Sequence, residues 1–265
     1  MIFFFVPYLY FHHTRAKGAL KQISFVAMYF LPIIFIALYA VPPQGATYVS
    51  TLWLLLFGFW NVYSAYEIGY IYNDLEKTKQ EIFPTKRLSV EEVAFYERNK
   101  SAIYISRFLL VLINTVVAFE FSLPVSTVLA ALTILVLFYI YNRCDGVINL
   151  PLHFFLVMAR YVGPLMVFGM QWAFVFLPAI FFALPNMIER TREPKFTVIN
   201  NKVFSWFNNA REGRYRYYAV IVVIHLLLLP FTHSAIFIFS LLLNVYFLLY
   251  RYASVKFLQR NDRVT

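Results

Sequence analysis

Long apolar runs separated by short polar joints dominate the chain, and their spacing predicts helices of bilayer length. Runs near 22–41, 48–72, 101–120, 123–141, 148–169, 171–188, 217–232 and 234–250 each approach the roughly 20 mostly apolar residues that a spanning helix requires. About eight crossings are expected. The opening MIFFFVPYLYF is apolar but short and contains Pro7, which suits a helix lying in the membrane interface. It has neither the basic start nor the small-residue cleavage site of a signal peptide. Two long polar stretches, 73–100 and 189–216, interrupt the runs. Within them SVEEVAFYERNK (89–100) and VFSWFNNAREGRYR (203–216) read as short surface helices, the first with a capping box from Ser89 to Glu92.

Composition turns a helical reading into a membrane reading. Of 265 residues, 61% are apolar and only 14% charged, against about a quarter charged in ordinary globular domains. The mean hydropathy is +0.66. The expected fold is therefore all-α, a polytopic transmembrane bundle forming one domain over 1–265.

Charge adds orientation. Of 23 Lys and Arg residues, only Arg107 and Arg160 lie inside spans. The rest fall in the N-terminal segment (Arg15, Lys17, Lys21), the 73–100 loop, at Arg143, in the 189–216 loop and in the C-terminal tail. The alternate joints, near 42–47, 121–123, 170 and 233, hold none. This positive-inside pattern places both termini and both loops in the cytoplasm, with the chain in the cell inner (plasma) membrane. Topology and anionic lipid account for the net charge of +10, so nucleic acid need not be invoked. A single cysteine, Cys144, excludes an intramolecular disulfide framework.

Each long loop sets acids at a helix end and bases just beyond. In the first, Asp74, Glu76 and Glu81 precede Pro84, Lys86 and Arg87. In the second, Glu189 and Glu193 precede Lys195, with Arg190 and Arg192 interleaved. Such a pattern at a membrane surface suits a phosphorylated ligand. Hard carboxylate oxygens hold Mg²⁺ against phosphate, and Lys and Arg neutralise the remaining oxygens. A solvated loop of mixed charge is the alternative. Asn73 and Asp74 abut the bilayer, and Glu67 lies two turns back on the same face.

Within the spans, Arg160 costs about 2.5–3.5 kcal/mol on insertion scales. Its face, shared with His153, is expected to look into a polar cavity, or Arg160 pairs with Glu67 or Glu120. Arg107 lies near enough to a helix end to snorkel. Asn61, Asn114 and Asn244 suit hydrogen bonds between helices.

YSAYEIGYIYND (63–74), IERTREPKFTV (188–198) and YNRCDGVINLPLHFFLVMARYVG (141–163) resemble the UbiA superfamily of intramembrane prenyltransferases. Those helical bundles carry an acidic N-D-x-x-D-x-x-x-D motif after the second helix and another acidic motif after the sixth. The decaprenyl-phosphate phosphoribosyltransferase branch fits better than the rest. Its N-D-x-x-D-x-x-x-D-x-x-H-P-x-K-R pattern runs without a gap along NDLEKTKQEIFPTKR. Asn73, Asp74, Pro84, Lys86 and Arg87 match, and Glu81 stands for the third acid. Lys77 replaces the middle aspartate and Phe83 the histidine. The family usually has nine spans, and the spacing of the second motif leaves both Glu189 and Glu193 open.

The resemblance implies a transferase that moves a phosphoribosyl group from phosphoribosyl pyrophosphate to a polyprenyl phosphate for cell-envelope glycan synthesis. It implies Mg²⁺ held by Asp74, Glu81 and either Glu189 or Glu193. Lys77 would meet donor phosphate in place of the missing acid. Asn73, Lys86 and Arg87 would bind phosphate, with Arg143, Arg160 and Lys195 as further contacts to anionic groups. Glu76 fits no acidic position and reads as a solvated charge. Two other readings stand: a UbiA-type prenyltransferase with a prenyl diphosphate donor, and a non-catalytic or lipid-transporting relative.

Overall fold

The computed structural model describes residues 1–40, 47–80, 85–191, 193, 210–232 and 234–261, and every regular element among them is helical. Seven helical stretches are long and apolar enough to cross a membrane. The expected span at 48–72 is not one of the seven, although it forms the 28-residue helix α4 (Tyr48–Leu75). Eight crossings are reached only when α4 is counted, and its chemistry explains why hydropathy passes it over. By contact the chain divides into two compact units, Met1–Asp145 with Met158–Phe174, and Gly146–Val157 with Val175–Thr265.

In the first unit α1 (Leu9–Arg15) follows a short turn of helix. Helix α2 (Ala19–Phe25) continues through a π turn at Val26–Phe30 into α3 (Leu31–Ala40). Then come α4, α5 (Val90–Glu120) and α6 (Val125–Arg143). The capping box forms as expected: the Ser89 hydroxyl accepts from the Glu92 amide, and the Glu92 carboxylate accepts from the Ser89 amide. The surface helix expected at 89–100 is not separate. Nothing in ERNKSAIY breaks helical periodicity, and α5 runs on unbroken for 31 residues. Half of 203–216, residues 203–209, lies outside the described residues; from Ala210 onward it belongs to helix α10 (Ala210–Leu228).

Helix α4 is buried along most of its second half, and its buried Asn61 and Ser64 find partners on neighbouring helices. Asn61 Nδ2 donates to the Thr127 carbonyl on α6 at 2.8 Å, and Asn114 Nδ2 on α5 donates to Ser64 Oγ at 3.0 Å. In hydrocarbon such groups must be satisfied internally, so α4 can be polar only because it is enclosed. Gly58 permits part of that enclosure: a Cβ there would collide with the Pro164 carbonyl of the 3-10 segment Gly163–Phe168.

Arg107 does not snorkel. It is fully buried and lies 3.0 Å from Glu67, itself fully buried. Its Nε donates to the Phe4 carbonyl at 2.7 Å, and Nη2 to those of Phe3 and Val6 at 3.0 and 3.2 Å. The opening segment is therefore not an interfacial helix. Phe4 and Tyr10 enter a core with Ile71 and Leu75 of α4 and Tyr96 and Ile103 of α5. Glu67 also accepts the Phe11 amide at 2.6 Å. That amide is an orphan donor of the first turn of α1, where Tyr8, in the left-handed region at φ 72°, offers no side-chain cap. A carboxylate 56 residues away in sequence supplies the cap instead.

In the second unit α7 (Asn149–Val162) contributes its first residues. Helix α8 (Trp172–Pro178), in this unit from Val175 onward, continues through a π turn at Ala179–Ala183 into α9 (Leu184–Arg190) as one span. Helices α10 (Ala210–Leu228) and α11 (Ala235–Asn261) complete the unit. Pro185 cannot donate back along its helix, which leaves carbonyls near Ile180 and Phe181 unmatched. Tyr217 and Tyr218 donate their hydroxyls to those two carbonyls, each at 2.7 Å. Asn244 Nδ2 on α11 donates to the Tyr218 carbonyl at 3.3 Å, as expected for an interhelical asparagine.

Breaking the buried pair from one side should destabilise strongly, because the other charge is left uncompensated. Arg107→Met is expected to cost about 3–5 kcal/mol, and the double variant with Glu67→Leu markedly less than the sum of the two singles. Thermal unfolding of the four proteins in detergent measures the coupling. Additive losses would show that the pair does not act as a unit.

Candidate functional site

The end of α4 gathers a charged cluster around Asp74, whose side chain is 1% exposed. Arg15 grips it with both nitrogens, Nη1 to Oδ2 at 2.8 Å and Nη2 to Oδ1 at 2.9 Å. Arg87 Nη1 reaches Oδ1 at 3.1 Å, and the Tyr10 hydroxyl donates to Oδ2 at 3.1 Å. Burial, followed by the Asp74 charge, pushes the Tyr10 hydroxyl far above its ordinary range, which keeps it a donor. The Arg15 guanidinium also stacks 3.6 Å from the centroid of Tyr70. Beside the cluster lies a cleft of about 480 Å³, where Lys79, Lys86 and Arg87 face the apolar side chains of Leu88 and Val93.

The other expected residues of the first motif are dispersed. Asn73 is half-buried at the end of α4. Lys77 turns toward the C-terminus of α6, 3.5 Å from the carbonyls of Tyr141 and Cys144 and from Asp145. A cation there satisfies the end of a helix. Arg143 is exposed and lies over the Tyr139 ring at 4.0 Å. Glu81 and Lys195 lie outside the described residues.

Glu76 is no solvated charge; its side chain is 18% exposed. It accepts from the Tyr96 hydroxyl at 2.6 Å and pairs with Lys100 at 2.7 Å and Lys79 at 3.3 Å. Burial opposes its ionisation, but Lys100, Tyr96 and Lys79 together hold its carboxyl below the usual range.

Arg160 belongs to the first unit and makes neither of the pairs expected for it, since Glu67 is taken by Arg107. Its guanidinium sits among aromatic rings, 4.7 Å from the centroid of Phe11 and 4.8 Å from that of Tyr29. Nη2 donates to the Tyr63 hydroxyl at 2.9 Å and Nη1 to that of Tyr70 at 3.4 Å. Nε has no hydrogen-bond partner. Among the described residues no carboxylate forms an ion pair with it.

His153 falls in the second unit, where its Nδ1 lies 2.6 Å from Arg190 Nη1. Arg190 Nε is also 2.9 Å from Glu193, while Arg214 holds Glu189 and donates to Asn186 Oδ1 at 2.9 Å. These groups line a polar cleft of about 380 Å³. Both second-loop acids therefore meet an arginine.

Asp74, as placed, has its acceptor positions taken by protein groups, and Glu81, the acid expected beside it on Mg²⁺, lies outside the described residues. An ionised carboxylate offers about four lone-pair positions, and Asp74 already receives four contacts, two on each oxygen. Among the described residues no group of three or more His, Cys, Asp or Glu is placed to hold a metal. Arg15 and Tyr10 were not legible as site residues, for nothing in the motif points to partners 59 and 64 residues upstream. No family model, curated protein or solved structure matches the chain.

Mg²⁺ added without a phosphorylated ligand is expected to leave the melting temperature unchanged. A rise would mean that Asp74 leaves its guanidiniums for the ion, since a ligand of the folded state stabilises it. Acid should loosen the Glu76 cluster. A depressed folded-state pKa contributes stability above the unfolded carboxylate value, about 4.3, and that stability is lost as pH falls through the folded value. Melting curves from about pH 6 down to about pH 3 should therefore be flatter for Glu76→Gln than for the wild type.

Proposed function

We propose that the protein is a membrane-embedded transferase acting on a polyprenyl phosphate, with phosphoribosyl pyrophosphate as the donor that the resemblance implies. The observation that carries this reading is Arg160. A half-buried guanidinium without a carboxylate partner, in a chain rich in membrane-spanning helices, asks for an anion from outside the protein. Its aromatic surroundings add cation–π attraction and suit an apolar tail beside a phosphate. Lys86 and Arg87 in the cleft beside Asp74 give a second anionic group a place to bind.

The reaction needs little from the protein beyond binding and charge. An oxygen of the acceptor phosphate attacks the anomeric carbon of the ribose and forms the new C–O bond. The bond from that carbon to pyrophosphate breaks, and its electron pair leaves with pyrophosphate. Lys86 and Arg87 favour the step by meeting the negative charge that grows on the leaving group. The acceptor is already ionised, so no general base is required. Asp74 holds Arg87 in place, which makes it a positioning residue in this arrangement.

One observation favours a second, binding-only reading. The motif acid expected to act directly is fully engaged by Arg15, Arg87 and Tyr10. Purified protein given labelled phosphoribosyl pyrophosphate and a short polyprenyl phosphate, with and without divalent metal, separates the two. Label in the organic phase supports transfer. Arg160→Gln is expected to weaken polyprenyl phosphate binding by about ten- to a hundredfold while leaving the melting temperature within a few degrees. Wild-type binding without transfer would establish the binding-only role, and binding indifferent to Arg160 would overturn both.

A further inference from the structure

A groove of about 770 Å³ runs down the outside of the first unit where α4, α5 and α6 meet. Its floor is Gly69 against the ring of Phe138, an approach so close that a Cβ at position 69 would penetrate the ring. Its walls carry Phe108 and Val136, which stay 50% and 56% exposed, with no group among the described residues covering them. Along α6 the groove follows residues 135–143, a rise of about 12 Å. Its two ends differ. The Leu135 end is apolar, and the other ends in Asn142 and Arg143.

The polar end has unclaimed chemistry. Arg143 rests on the Tyr139 ring but makes no ion pair or hydrogen bond among the described residues. The Oδ1 atom of Asn142 is buried without a hydrogen-bond partner. Cation and amide thus mark one end of a slot that is otherwise hydrocarbon in character. We propose that this groove is a specific site for an anionic phospholipid, with one acyl chain along the floor and the headgroup phosphate on Arg143. The groove opens sideways between α5 and α6, two helices apolar and exposed enough to face lipid, so its occupant exchanges with the bilayer. The bilayer's abundant species is phospholipid, and Arg143 selects the anionic kind. The site is separate from the Arg160 cage and does not depend on the transferase reading.

Native mass spectrometry of the full chain in detergent tests this with phosphatidylglycerol, phosphatidylcholine and a short polyprenyl phosphate as probes. One phosphatidylglycerol is expected to be retained about tenfold better than phosphatidylcholine, the difference a charge-assisted contact gives. Arg143→Gln, an exposed substitution, should abolish that preference while leaving some lipid bound. Val136→Trp should displace both phospholipids by filling the groove. The proposal is overturned if the wild type shows no preference, if the preference survives Arg143→Gln, or if lipid is retained in a folded Val136→Trp protein. It is equally overturned if polyprenyl phosphate displaces phosphatidylglycerol at equal concentration.

Discussion

Glu67 and Arg107 are both fully buried, and taking two such ions out of water costs about 20 kcal/mol each in idealised terms before any attraction is counted. The pair is tolerated because neither ion stands alone. Arg107 adds three backbone carbonyls of the opening segment, and Glu67 adds the Phe11 amide. Charge and hydrogen bonding thereby fasten residues 3–11 to α4 and α5. A segment of that length would have little reason to hold one conformation by itself, since short helices are marginal in water.

The motif at the end of α4 inherits its geometry from this fastening. Tyr10 and Arg15 reach Asp74 because α1 is held where its first turn meets Glu67. Without that anchor Asp74 would keep only Arg87 among its present partners. Asp74, the acid that the sequence singled out for a metal, is the centre of a protein-internal ion cluster. Arg160 shows the opposite balance: its aromatic cage provides shape and partial charge, and no carboxylate among the described residues serves as its counter-ion.

Elements whose cause is local were readable from the sequence. The apolar runs predicted helices close to those seen, and Ser89 with Glu92 predicted the start of α5. Asn61, Asn114 and Asn244 were expected between helices because a carboxamide in hydrocarbon must find a partner, and they are there. The failures are tertiary. Pro7 and the shortness of MIFFFVPYLYF suggested an interfacial helix, because nothing nearby announces a buried arginine about a hundred residues later. Arg107 looked able to snorkel only because its distance to the helix end was counted along the chain. Asp74, Lys86 and Arg87 were singled out by spacing, and all three line one cleft. Lys77 is instead directed to the end of α6, a preference that a motif register does not encode.

The account rests on the opening segment being held inside the first unit rather than lying on the bilayer. Amide hydrogen exchange over residues 1–15, in the full chain reconstituted in nanodiscs, tests this directly. Protection at Phe11 comparable to that of the middle of α4, lost in Arg107→Met but kept in Arg143→Gln, is the predicted result. Fast exchange at Phe11 in the wild type would contradict the account.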